Sequence, residues 1–256
     1  MSDPRIIRFE PHGPADTGLV EWETIDPSDL EAGNPVQRGH IYHQDEALGY
    51  MAGVWDCTAM TGKFEPYAVN EFMFVLEGSV TMVCEDGAEI TVNAGEPFVI
   101  PKGLPCQWKQ PGYIRKYFMI FENPGAEAAG DGASQGIILP RASGPPGGME
   151  KADIGNPSDF IGGLPTRHEH SYFRDPSGQM TVGVCDSTPF ETEMRPSPCH
   201  EFVRLIEGAV TITEGDGATH SFEAGDAFYT PRGAVRGWKT TGYVKQLYAM
   251  LDPAPG

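Results

Sequence analysis

The chain has 256 residues, enough for two small domains with a core each, and its 32 glycines and 23 prolines suit short strands joined by turns. A formal net charge of −18, spread along the chain rather than gathered in a tail, disfavours nucleic acid and anionic membrane surfaces as partners. There is no apolar run of the roughly 18 residues that a spanning helix needs, the start Met1-Ser-Asp-Pro-Arg5 has no signal-peptide core, and five scattered cysteines form no CxxC pair, so a cytoplasmic protein with free thiols is expected.

In chain order, Ile7-Arg8-Phe9 suggests a first short strand, ahead of Pro27-Ser28-Asp29 and the pair His40-x-Tyr42. Phe72 to Val83 is apolar and β-branched, interrupted only at Glu77-Gly78, and Asp86-Gly87 marks a hairpin turn because Gly accepts the positive φ such turns need. Ile90 to Val92, Phe98 to Ile100 and Tyr113 to Phe121 supply further strands. A Gly-, Ala- and Pro-rich stretch over about 124–156 follows and is expected to be a linker.

After the linker the same text begins again. Shifted by 130 residues the chain meets itself without a gap: Gly53-Val54-x-Asp56-x-Thr58 returns as Gly183-Val184-x-Asp186-x-Thr188, and Glu77-Gly78-x-Val80-Thr81 as Glu207-Gly208-x-Val210-Thr211. Asp86-Gly87-Ala88, Pro101-x-Gly103, Trp108-Lys109 and Gly112-Tyr113 recur as Asp216-Gly217-Ala218, Pro231-x-Gly233, Trp238-Lys239 and Gly242-Tyr243. A duplicated all-β unit is the direct reading: an N-terminal copy over 1–130 with its core at 27–124, and a C-terminal copy over 131–256 with its core at 157–254. Ile137-Ile138-Leu139 stands 130 residues after Ile7-Arg8-Phe9, so each copy is expected to open with an extra strand of its own. Strands at this spacing imply a barrel or a sandwich.

The run Glu71-Phe-Met-Phe-Val-Leu-Glu-Gly78, then Ala94-Gly95-x5-Pro101-x-Gly103, resembles the two cupin motifs, and Glu201 to Gly208 with Gly225-x5-Pro231-x-Gly233 resembles them again. Pro101-Lys-Gly-Leu-Pro-Cys106-Gln-Trp108-Lys, followed by Arg115-Lys116, narrows the resemblance to the cupin branch catalogued as DUF861, which includes the ureidoglycine aminohydrolase relatives. The resemblance covers almost the whole chain and implies two tandem antiparallel jelly-roll barrels, a bicupin.

The resemblance also implies where a metal site would be, and there the chain departs from the pattern. Metal-binding cupins carry His-x-His-x3-Glu in the first motif and a later His in the second. Those positions here are Glu65, Tyr67, Glu71 and Cys106 in copy one, and Arg195, Ser197, Glu201 and Arg236 in copy two. Ureidoglycine aminohydrolases read Glu-x-His-x3-His with a later Gln, and only Glu65 matches, so the reaction does not carry over. Guanidinium groups only donate, and a Glu/Tyr/Glu/Cys set mixes hard oxygens with a soft thiolate, so no cofactor is implied; a metal, if one bound, would belong to the N-terminal barrel.

In copy two, two readings stand. Arg195, Glu201 and Arg236 converge as an internal Arg–Glu pairing that fills the barrel, or an arginine is spare for a carboxylate or phosphate. In copy one, spacing by two puts Glu65, Tyr67 and Glu71 on one strand face, with Cys106 and Trp108 meeting them from a neighbouring strand. Clustered carboxylates in an apolar barrel would act as a general acid or base, and Cys106 is either a nucleophile or a small buried apolar residue. Lys116 could reach in and make this site a second ion pair. The expectation is therefore a working pocket in the N-terminal barrel, either of a small-molecule enzyme acting on a nitrogenous metabolite or of a non-catalytic binding or sensing bicupin. The expected partner is a small molecule, with no nucleic acid and no membrane, and a homodimer is compatible with the architecture. His168-x-His170 and His40-x2-His43 have ligand-like spacing, but the repeat of His40 at His170 favours a shared structural hydrogen bond.

Overall fold

The computed structural model describes residues 4–123 and 135–253, so the first part of the expected linker, 124–134, lies outside the described residues. Those residues form strands, turns and three-residue 3-10 helices, without an α-helix. Among the described residues no helix is long and apolar enough to cross a membrane.

Each copy is a pair of antiparallel sheets around one core. In the N-terminal copy one sheet orders the strands Pro97–Ile100, Asn70–Glu77, Ile114–Phe121, Tyr50–Cys57, Gln37–Asp45 and Val20–Glu21. The other runs Glu89–Asn93, Ser79–Cys84, Pro105–Gln110, Met60–Gly62 and Leu30–Gly33, with Glu65–Pro66 added beside Pro105–Gln110. Their inner faces supply Trp55, Met73 and Phe118 from the first sheet, and Val80, Met82 and Trp108 from the second. The C-terminal copy repeats this around Val203, Leu205, Ile212, Phe228, Trp238 and Val244. Period-two alternation of apolar and polar residues produces these sheets, since one face of each strand must bury.

Equivalent positions carry equivalent strands: Asn70–Glu77 answers to His200–Glu207 and Ile114–Phe121 to Val244–Leu251, each pair offset by 130. Gly78 and Gly208 show why the motif glycine recurs. Both have positive φ (77° and 82°), and a Cβ would stand 2.0 and 2.2 Å from the carbonyl oxygens of Tyr113 and Tyr243. Only glycine permits that turn.

The extra strands differ from expectation. Ile7–Phe9 does not open its own copy; it lies beside Ala227–Thr230 in the C-terminal sheet. Ile138 forms a bridge to Val99, in the equivalent strand of the N-terminal copy. The chain accordingly divides into a unit of Met1–Arg8, Pro140–Arg174 and Gly178–Gly256 and a unit of Phe9–Leu139 and Asp175–Ser177. The leading strands are exchanged between copies. Side chains explain the choice for residues 5–8. Ile6 joins the C-terminal core, its backbone N–H donates to Glu214 Oε1 at 2.7 Å, Arg5 pairs with Glu214, and Arg8 pairs with Asp226 at 3.0 Å.

Candidate functional site: a charged chamber in the C-terminal copy

In the N-terminal interior the chain's own side chains already meet the buried carboxylate. Lys116, on Ile114–Phe121, reaches in and donates to Glu71 Oε1 at 2.7 Å and toward Met73 Sδ at 2.9 Å. Its ammonium also lies 5.0 and 4.9 Å from the ring centroids of Trp55 and Trp108, a double cation–π contact. Tyr67 donates its hydroxyl to the other oxygen of Glu71. Burial, reinforced by the Glu71 charge, raises the Tyr67 hydroxyl well above its usual range, so it remains a donor. Glu71 is thus satisfied on both oxygens from within the chain.

The remaining N-terminal candidates do not join this cluster as one strand face. Glu65 is exposed, on the short strand Glu65–Pro66 of one sheet, whereas Glu71 belongs to Asn70–Glu77 of the other. The chain changes sheets between them, which breaks the alternation that the spacing argument needed. Cys106 is buried opposite Glu65 and Cys84 in the backbone register. Burial pushes its thiol up to about 12, so at neutral pH it is a protonated, apolar group rather than a nucleophile. Trp108 is buried, with its Nε1–H donated to Gln110 at 3.0 Å.

The C-terminal copy is built differently. Trp55 is replaced by Cys185, Tyr67 by Ser197 and Lys116 by Gln246, so the three side chains that fill the first interior are all smaller in the second. A cavity of about 270 Å³ results, lined by Arg167, Glu201 and Arg236 together with Phe190, Trp238 and Met250, among others. Arg167 comes from the strand Arg167–Arg174, Glu201 from His200–Glu207 of the same sheet, and Arg236 from Val235–Lys239 of the opposing sheet.

The charges in this chamber are not paired with one another. Among the described residues no ion pair joins Glu201 to either arginine. Arg236 has its Nη2 3.4 Å from Ser197 Oγ and lies 5.4 Å over the Trp238 ring, while its buried Nε has no acceptor. Burial raises the Glu201 carboxyl above its ordinary range, and the positive charges of Arg236 and Arg167 oppose that rise only in part. Cys185 and Cys199 also line the chamber, with thiols pushed by burial up to about 11 and about 12.

Arg195 does not converge with Glu201 and Arg236, contrary to the sequence expectation. It faces Arg236 only along the backbone, while its guanidinium turns outward to Asp159 and to the carbonyl of Ser158 at 3.3 Å, with 41% of the side chain exposed. Asp159, in the turn Pro157–Asp159, supplies the better-solvated partner. Arg167 takes the inward place instead. Its signal was legible: position 37 is Gln in copy one, and an Arg at the matching inward position of copy two is a gain of charge inside a barrel.

The histidines fall outside the chamber. His40 and His170 each meet the tyrosine two residues on in an edge contact at 4.6 Å, so what the repeat preserves is a ring contact rather than the shared hydrogen bond expected from it. His168 pairs with Asp186 at 2.8 Å, and His200 is buried against Tyr229 and the Arg232 backbone. None of the five cysteines is in a disulfide. A cupin metal does not fit either copy: in the first an ammonium already sits on Glu71, and in the second Asp186 is taken by His168 and Tyr243, Glu201 stands among guanidinium donors that cannot ligate, and among the described residues no three His, Cys, Asp or Glu side chains converge.

The profile of the EutQ-like cupin domain matches residues 48–118 and 174–248, more than half of the chain. A Pseudomonas syringae pv. tomato protein of unknown function from the DUF861 family superposes with a TM-score of 0.77 at 24% identity, over 96% of this chain and 99% of that one. Protein Ylba of E. coli, also DUF861, gives 0.57 at 11% identity over 100% and 95%. A cupin 2 conserved barrel domain protein of Leptotrichia buccalis gives 0.55 at 10% over 90% and 97%. At these identities the likeness is one of fold. No curated protein matches the chain.

Proposed function

The chain belongs to the EutQ-like cupin domain family, and from that premise we propose that it is a small-molecule-binding bicupin whose ligand chamber is the interior of the C-terminal barrel. The N-terminal barrel is its filled structural copy. One observation carries the reading: Arg167, Glu201 and Arg236 line one cavity of about 270 Å³ without an ion pair among them. An unmet polar atom in an interior is costly, and two guanidinium groups and a carboxylate that share a cavity without an ion pair, with Arg236 Nε buried and unmet, are better matched to a ligand than to the fold's own stability. The volume lies just under the roughly 300–1,000 Å³ typical of drug-sized sites, which suits a metabolite. The alternative, an enzyme working at Glu65, Tyr67, Glu71 and Cys106, has less support, because Lys116 and Tyr67 already satisfy Glu71 and Glu65 is exposed. A cytoplasmic location is part of the proposal, in keeping with the unpaired cysteines.

The test is a thermal-shift screen of metabolites on the wild type and on Cys185→Trp, which restores the side chain that fills the first barrel. A ligand that binds only the folded state stabilises it, by about 2.7 kcal/mol at a concentration of 100 Kd. Compounds that raise Tm in the wild type and lose the effect in Cys185→Trp are the expected result. Ligands whose effect survives Cys185→Trp but is lost in Glu71→Gln would overturn the assignment in favour of the N-terminal barrel.

A further inference from the structure

Resting on that chamber, we propose that its ligand is a small monocarboxylate with an apolar body, its carboxylate held by Arg167 and Arg236. The charge balance is the first argument. Both guanidinium groups are permanently charged, and of the two carboxylates on the lining Asp186 is already met by His168 at 2.8 Å and Tyr243 at 3.0 Å; the charges left to be met are Arg167, Arg236 and Glu201, which with Glu201 ionised sum to one net positive charge, the complement of a monoanion.

Hydrogen bonding is the second argument. Arg236 makes one long contact, at 3.4 Å to Ser197 Oγ, and its Nε is buried without an acceptor. A planar carboxylate offers the paired acceptors that a guanidinium fork is shaped to meet. Arg195 and Arg5 show the contrast, since each already has a carboxylate of the chain against it. The wider grooves beside Arg5 and Arg8, about 380 and 570 Å³, are less suited for the same reason: Arg5 pairs with Glu214 and Asp216, and Arg8 with Asp226. In the chamber Arg236 Nε remains to be met, and unlike Arg115, whose Nε is also unmet but which has Asp56 and Glu77 against it, Arg236 has, among the described residues, no carboxylate of the chain in an ion pair with it.

The walls are the third argument. Phe160, Phe190, Pro198, Trp238, Val244 and Met250 line the same cavity. A bare inorganic anion would leave these surfaces uncovered, whereas a hydrocarbon or aromatic body removes them from water together with its own surface. Glu201 then stands as an acceptor inside the chamber, so a hydroxyl or amino substituent on that body would have a partner.

The experiment is calorimetric titration of the full-length protein with benzoate, isobutyrate, benzamide and inorganic phosphate. The expected result is binding of benzoate or isobutyrate, with benzamide at least tenfold weaker than benzoate because it cannot form the charge-assisted pair. Arg236→Gln and Arg167→Gln should each weaken the carboxylate at least tenfold. Arg236→Lys, which keeps the charge but loses the fork, should fall between wild type and Gln. Benzamide binding as well as benzoate would overturn the carboxylate class. So would binding of phosphate with neither carboxylate, and so would wild type binding neither carboxylate. These outcomes leave the chamber itself standing if some other ligand is lost in Cys185→Trp, which separates failure of the ligand class from failure of the site. The benzoate and benzamide comparison needs only wild-type protein, so it decides even if an arginine variant does not fold.

Discussion

Removing either partner of the Lys116–Glu71 pair should cost the N-terminal unit far more than removing both. The ammonium and carboxylate are 2.7 Å apart, with side-chain exposures of 8% and 5%, so water cannot replace a lost partner. Breaking a buried pair from one side costs about 3–5 kcal/mol, because an uncompensated charge stays behind, whereas replacing both members by apolar groups of similar size is often neutral. Lys116→Met should be the worse single change, since it also removes the contact with Trp55 and Trp108 and leaves Glu71 with Tyr67 alone. At about 3 °C per kcal/mol for a unit of this size, each single variant should lower Tm by on the order of 10 °C. Lys116→Met with Glu71→Met should recover most of that loss, giving a coupling energy of about 2 kcal/mol or more in the double-mutant cycle. Urea unfolding followed by tryptophan fluorescence is the appropriate assay, because Trp22, Trp55 and Trp108 all belong to this unit. Single variants within about 1 kcal/mol of wild type, or additive losses in the double variant, would refute the internal clamp and reopen this barrel as a site.

Three other outcomes follow from the same geometry. The Glu201 carboxyl is raised by burial above its ordinary value of 4.5, so the folded chain holds the proton more tightly than the unfolded chain and loses stability as pH rises from about that value through the folded pKa. Glu201→Gln should therefore match wild type near pH 4 and exceed its Tm at pH 8; an equal deficit at both pH values would contradict the assignment. Alkylation of the native protein with iodoacetamide at pH 8 should label Cys84 first, the only cysteine that is not buried, and leave Cys106 and Cys199, both near 12, unmodified by mass spectrometry; rapid labelling of Cys106 would restore it as a candidate nucleophile. Deleting residues 1–8 should lower the Tm of the C-terminal unit, because Ile6 leaves its core and the buried Glu214 loses Arg5 and the Ile6 N–H; an unchanged Tm would refute the strand exchange.

The sequence by itself determined the duplicated all-β architecture, because strand alternation, hairpin glycines and the unbroken offset of 130 residues are local patterns that need no tertiary information. It also held the clue to the chamber, in Trp55 becoming Cys185, Lys116 becoming Gln246 and Gln37 becoming Arg167. Those exchanges acquire meaning only when the positions are seen to point at one volume. Tertiary structure decided the rest. Glu65 and Glu71 share a spacing but not a sheet, because the chain crosses between sheets at Pro66 to Val69, and spacing reports a shared face only while a strand continues. Arg195 turned outward because a turn 36 residues earlier in the chain places Asp159 where solvent still reaches. The leading strand went to the other copy because the partners it needs, Glu214 and Asp226, are more than 200 residues away. Pairing of this kind depends on which charged and apolar groups meet in space, and one-dimensional pattern carries no record of that.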